Sequence, residues 1–149
     1  EVTDIQELLS IEEECRICHV GLLDDKGVYV VPLNYGFEYV NKQLILYFHS
    51  AQVGRKIDAI IKNPNVCVEM DCDHRLIEGE KACDFSFGFK SVIGNGVATI
   101  LSNYDEKLKG LSLLMKHETQ KEYAFDENMV NHVSVIKVIV NEFSGKYHK

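Results

Sequence analysis

The chain has 149 residues, 46% of them apolar and 26% charged, and its 16 basic against 23 acidic side chains leave a formal net charge of −7. That size suits a single domain, 1–149, with a core that needs no disulfide staples, and the mix argues against disorder. The acidic balance argues against a general nucleic-acid or anionic-membrane binder, whose affinity comes from surplus Lys and Arg, but leaves room for a local basic site.

The opening segment reads as a short helix capped by Thr3 with Gln6 at its third position, Ile5, Leu8, Leu9 and Ile11 forming the apolar side. From Cys15 the pattern turns to β: Arg16–Leu23, a turn at Asp24-Asp25-Lys26-Gly27, then Val28–Val31. After a break at Asn41-Lys42-Gln43 comes Leu44–Phe48, and the apolar character of these strands predicts cover on both faces. Val53, Ile57, Ile60 and Ile61 share one face of a helix that ends at Asn63-Pro64, because the residue before proline disfavours helical geometry. Strands follow at Val66–Asp71, Phe85–Leu101 and Val133–Val140, with an amphipathic helix marked by Tyr104, Leu108, Leu111 and Met115 between the last two. Short strands, tight turns and few helices predict a mostly antiparallel barrel with peripheral helices.

Leu46–Lys56 is the most informative stretch. A buried strand ends at His49, Ser50 is a plausible N-cap, and a helix begins within a few residues. Free N–H groups at a helix start make a ready phosphate site. Arg55 and Lys56 near that positive end each cost about 0.3–1 kcal/mol unless an anion compensates them or they splay into water. His49 reads either as a hydrogen-bonded structural residue or as a proton donor. Pro32, within Val30-Val31-Pro32-Leu33-Asn34-Tyr35-Gly36, forfeits a ladder hydrogen bond. It marks either an edge strand that stops pairing or an opening where a flat ligand meets bare backbone and the Asn34 amide.

Cys15-Arg16-Ile17-Cys18-His19 fits the C-x-x-C-H haem-attachment pattern, but on a strand residues three apart face opposite ways. The same objection weakens a zinc site with Cys67 and Cys72. Asp71-Cys72-Asp73-His74, with Glu69 and Glu78, is read as a solvated polar loop, so no metal site is expected. Phe85, Phe87 and Phe89 alternate as a core or subunit-interface ladder. Gly94-Asn95-Gly96 is no dinucleotide fingerprint, since Thr99 stands at the third glycine position and no helix follows. P-loop, G-x-S-x-G and kinase motifs are absent, so enzyme chemistry here would need a borrowed cofactor. No apolar run approaches the roughly 20 residues of a membrane span. Glu1-Val2-Thr3-Asp4 has no signal-peptide character and no initiator Met, so upstream residues are expected; five cysteines then fit reduced thiols in the cytoplasm.

Val31–Gly36, Tyr47-Phe48-His49-Ser50-Ala51, Gly54-Arg55-Lys56, Ser91–Gly96 and Leu113–His117, in this order, resemble the FMN-binding split-barrel superfamily related to pyridoxamine 5′-phosphate oxidase. Within it they are most similar to the 5-nitroimidazole-resistance (Nim) branch. The resemblance implies a six-stranded antiparallel split β-barrel that forms a homodimer with FMN at the subunit interface. Val31, Pro32, Leu33 and Asn34 would run along the isoalloxazine edge. His49 and Ser50 would approach the phosphate and ribityl chain, Arg55 and Lys56 would neutralise the phosphate, and Ser91 would contact the cofactor from a neighbouring strand. His49 is the one candidate catalytic proton donor. The oxidase proper carries basic residues near its second strand, where this chain has Val30–Tyr35 without Lys or Arg. The implied activity is therefore reduction of a nitro compound or similar small acceptor by NADH or NADPH. The alternative is a flavin- or haem-binding storage or sensing protein without turnover.

Overall fold

The computed structural model describes all residues from Glu1 to Lys149. Helix α1 (Ile5–Glu14) is capped by Asp4 rather than Thr3, the Asp4 carboxylate accepting the Glu7 N–H at 3.1 Å. A carboxylate brings a full negative charge to the positive helix end, which a hydroxyl cannot. The hairpin of β1 (Ile17–Asp24) and β2 (Gly27–Asn34) follows, then β3 (Gly36–Val40), β4 (Gln43–Ser50), α2 (Arg55–Lys62) and β5 (Asn65–Ile77). The chain continues through β6 (Ser86–Ile100), α3 (Tyr104–Thr119), α4 (Glu127–Asn131) and β7 (Ser134–His148).

One antiparallel sheet has the order β2-β1-β5-β6-β7-β4-β3. Its two edge strands, β2 and β3, are consecutive in the chain and separated only by Tyr35. The sheet therefore curls until its edges meet covalently at Tyr35, while no hydrogen-bond ladder closes it: a split barrel. Seven strands stand where six were expected, because Tyr35 turns inward and divides one extended run. Its fully buried hydroxyl donates to the Glu12 carbonyl (2.6 Å), with the Cys15 carbonyl 3.1 Å away.

The barrel interior holds Cys18, Val20, Leu46, Phe48, Val68, Met70, Val92 and Val138 within a cluster of 22 buried residues. Each fully buried Leu or Phe contributes about 1.5–3 kcal/mol. Helix α1 packs near Gly145 and Ser91, with Leu8 against Gly145, whereas α2 lies by Asp24 and near Ala98. Those two ends are about 23 Å apart along β6 at 3.3 Å per residue. Of the apolar face expected on α2, Ile57 and Ile60 are buried, whereas Val53 and Ile61 are exposed. The helix starts at Arg55, so Val53 precedes it, and Ile61 lies one residue beyond the buried stripe.

Helix α3 covers the outer face of β3, β4 and β7, where Ile45, Tyr47, Leu111, Val130 and Val135 form a second core. Gly36 makes this contact possible: a Cβ there would land on the α3 backbone at Leu113 and Leu114. Leu44–Phe48 is thus covered on both faces, as expected, but β2 is not. Leu23, Val28, Val30 and Ile93 are 49%, 78%, 58% and 51% exposed on the outer face of β1, β2 and β6, where no helix lies. Phe85 and Phe87 are also exposed, so their ladder is not core within one chain. No helix is long and apolar enough to cross a membrane.

Candidate functional site

The strand-to-helix connection between β4 and α2 differs locally from its expected form. Ser50 is the last residue of β4, and its Oγ donates to the Ala51 carbonyl at 2.9 Å instead of capping a helix. Gly54 (φ 143) occupies the N-cap position and offers no side-chain acceptor, whereas Asp4, Asn103 and Asp126 cap the other three α-helices. The first N–H groups of α2 are therefore uncapped by any side chain, and space beside Gly54 is open. Arg55 and Lys56 are the first two residues of this helix, where the dipole disfavours cations.

Their surroundings separate the two. Arg55 is held bidentately by Asp24, Nε to Oδ2 at 2.7 Å and Nη2 to Oδ1 at 3.0 Å, with its guanidinium 4.2 Å from the Tyr29 ring centre. The Arg55 hydrogen bonds pull Asp24 down to about 2. The compensating anion foreseen for Arg55 is thus a carboxylate of the chain itself. Lys56 has no carboxylate within 4.0 Å. It lines a small apolar cavity of the barrel with Val31, Leu33, Phe48 and Ile60, its stem packed along that wall.

Strand β2 pairs only with β1, so its other edge presents backbone groups without a sheet partner. Pro32 is tolerated for this reason. Alternation sends half-buried Val31 and Leu33 toward the barrel interior and leaves Pro32 and Asn34 exposed. The Asn34 amide donates to the Arg16 carbonyl (3.2 Å) and to Glu118 Oε2 (3.3 Å), which fastens the strand end to α3.

The same alternation puts His49 and Ser50 on opposite faces of β4, His49 exposed and Ser50 buried. The two side chains cannot both reach one phosphate from within this chain. Ser91 is buried in β6, paired with Asp71 and Lys146, in a groove with Glu1, Ile93 and Ser144. It lies three strands from the β2 edge, about 14 Å at the usual strand spacing. One chain therefore brings together Val31, Leu33 and Lys56, with Arg55 at the neighbouring corner, and leaves His49 and Ser91 apart.

The run Asp71–His74, expected as a loop, belongs to β5, with a bulge between Cys72 and Arg75. Cys15 is the C-cap of α1, so the strand objection to C-x-x-C-H does not apply to it; burial instead pushes both the Cys15 and Cys18 thiols up. Sequence reasoning missed that His19 stands directly opposite Glu69. Strand register between segments 50 residues apart leaves no local signal.

The sequence model for the pyridoxamine 5′-phosphate oxidase family matches residues 3–147. No protein among curated sequences matches. Among solved structures, a candidate 5-nitroimidazole antibiotic resistance protein of Bacteroides thetaiotaomicron is 32% identical with a TM-score of 0.84, over 97% of this chain and 84% of that one. The flavocytochrome Anf3 of Azotobacter vinelandii shares the fold at 19% identity and TM-score 0.79, over 98% of this chain and 68% of its own. An FAD- and haem-binding protein of Mycobacterium smegmatis does so at 14% and 0.81, over 99% and 73%. With the match running almost end to end and the split barrel in place, the chain belongs to the pyridoxamine 5′-phosphate oxidase family.

Proposed function

We propose that this protein is an FMN-dependent reductase that takes hydride from NADH or NADPH and reduces a small acceptor such as a nitro compound. The observation that carries the reading is the uncapped start of α2 with the unpaired Lys56 beside the open edge of β2. These residues fit a phosphorylated flat ligand: N–H groups and one free ammonium for the phosphate, bare strand backbone and apolar Val31 and Leu33 for the ring. When bound, the flavin supplies the hydride chemistry. Lys56 and the first N–H groups of α2 hold the phosphate. Arg55, fixed by Asp24, shapes the corner and keeps donors in reserve. The β2 backbone orients the ring by its polar edge. Asn34 keeps that edge in place through Arg16 and Glu118.

The bare outer face with Val28, Val30, Leu23 and Ile93 supports a homodimer, and a second copy is what would bring His49 and Ser91 to a site built at the interface. Five free thiols suit a reducing cytoplasmic setting. FMN fluorescence titration tests the reading: wild type takes up FMN, and Lys56→Ala loses about tenfold or more in affinity with an unchanged circular-dichroism spectrum. Anaerobic NADH or NADPH then bleaches the flavin bands, and a nitroimidazole restores them. Failure to take up flavin would refute the proposal.

A second reading, a flavin- or haem-binding protein without turnover, is favoured by the likeness to the Azotobacter flavocytochrome and to the Mycobacterium FAD- and haem-binding protein. Flavin uptake without nicotinamide oxidation would select it.

A further inference from the structure

The outer face of β1 and β5 carries a set of groups that the flavin reading does not use. His19 and Glu69 are direct cross-strand partners, and Asp71 lies two residues further along the same face of β5. His19 Nδ1 is 3.0 Å from Glu69 Oε1 and 3.7 Å from Asp71 Oδ2, and the three donor atoms fall within 4.8 Å of one another. Donor atoms bound tetrahedrally at about 2.0–2.1 Å from one ion stand about 3.3 Å apart, and the two His19 distances lie on either side of that value.

A fourth group completes the arrangement. Three residues on from Asp71, His74 would face the other way on a regular strand. The β-bulge between Cys72 and Arg75, with Asp73 at φ 58, turns it back so that its Nε2 contacts Asp71 Oδ1. Stacking on Phe87 steadies the His74 ring.

No lysine or arginine balances the carboxylates at this spot. No Lys or Arg nitrogen lies within 4.0 Å of Glu69 or Asp71, whose only ion-pair partners are the two histidines. Two crowded carboxylates beside an imidazole nitrogen offer a divalent cation both balancing charge and donor atoms.

We propose that His19, Glu69 and Asp71 bind one divalent first-row transition ion of the zinc class, with His74 orienting Asp71 from outside. Mixed nitrogen and carboxylate donors favour zinc or manganese over calcium and magnesium, which take all-oxygen shells. In the single chain solvent fills the remaining positions, since all three side chains are partly exposed, and because Glu69 pairs directly with Ile93 the site borders the face assigned above to the homodimer. The site uses neither Lys56 nor the β2 backbone and does not rest on the flavin reading. It lies five residues along β1 from Asp24, about 16 Å from the Arg55 corner.

The experiment is calorimetric titration of ZnCl2 into the full chain after chelator stripping and desalting. One ion should bind per chain, with proton release. His19→Ala and Asp71→Asn should each weaken it about 100-fold or more, since partners one bond removed from an ion are already worth about 10–100-fold. His132→Ala, whose Nδ1 bonds within its own helix to the Asn128 carbonyl, should change nothing. CoCl2 in place of zinc should give weak visible bands without thiolate charge transfer. His19 and Asp71 are 44% and 23% exposed, so both variants should keep the wild-type melting profile, with Glu69→Gln as a third ligand variant. Absence of binding, zinc binding indifferent to His19→Ala, or a thiolate–cobalt band from the cysteines would overturn the proposal.

Discussion

Replacing Glu12 by glutamine should remove a pH dependence that the fold builds into α1. Glu12 is 0% exposed, and neither of its carboxylate oxygens has a hydrogen-bond partner. The nearby Tyr35 hydroxyl goes to the Glu12 backbone carbonyl. The residue also sits in the last turn of α1, where the helix dipole repels a negative charge. Burial pushes its carboxyl from 4.5 up to about 8. The folded chain therefore keeps a proton that the unfolded chain has released between those two values. Its contribution to stability is complete below pH 4.5 and is lost as pH rises, levelling off above about 8. The slope is at most about 1.4 kcal/mol per pH unit, which amounts to about 3 kcal/mol by neutral pH. The amide of the Glu12→Gln variant cannot titrate, so urea unfolding of both proteins between about pH 5.5 and 8 should show their stability difference moving by about 3 kcal/mol in favour of the variant. All other titrating groups cancel in that comparison. Parallel stability profiles would refute the reasoning and mean that Glu12 reaches solvent or a cation.

Three further outcomes can be checked. Gly36→Ala places a methyl on the α3 backbone at Leu113 and Leu114, which cannot give way like a side chain; a loss at or above the upper end of the usual range of about 1–3 kcal/mol is expected in thermal melts. Under a thiol reagent, exposed Cys67 and Cys83 should react first, half-buried Cys72 more slowly, and Cys15 and Cys18 only on unfolding. Asp24→Asn should release Arg55 beside Lys56 and tighten FMN binding, the opposite of Lys56→Ala, and equal affinities would remove charge at α2 from the account. In the wild type the Asp24–Arg55 pair contributes stability above pH 3.8 and loses it as pH falls through about 2, because Asp24 is depressed in the fold.

The sequence by itself determined the order and type of nearly all the elements. The turn at Asp24–Gly27, the proline stop after Asn63 and the 3.6-residue spacing of α3 are local signals, carried by residues within a few positions of one another. It also placed two cations at a helix start and a proline in an edge strand, and the order of those segments pointed to the family. The tertiary structure decided which of those groups were free. Arg55 meets Asp24 from 31 residues away, and Asn34 meets Glu118 from 84. His19 faces Glu69 only because β1 and β5 pair in one register, and His74 joins them only through a bulge. A slip of one residue would turn each of these side chains to the other face, since strand side chains alternate with a period of two. Glu12 reads as an ordinary polar position on an amphipathic helix, and only the closure of the split barrel at Tyr35 buries it. Local propensity specifies elements; register, bulges and burial specify what meets across them, and those depend on the whole sheet at once.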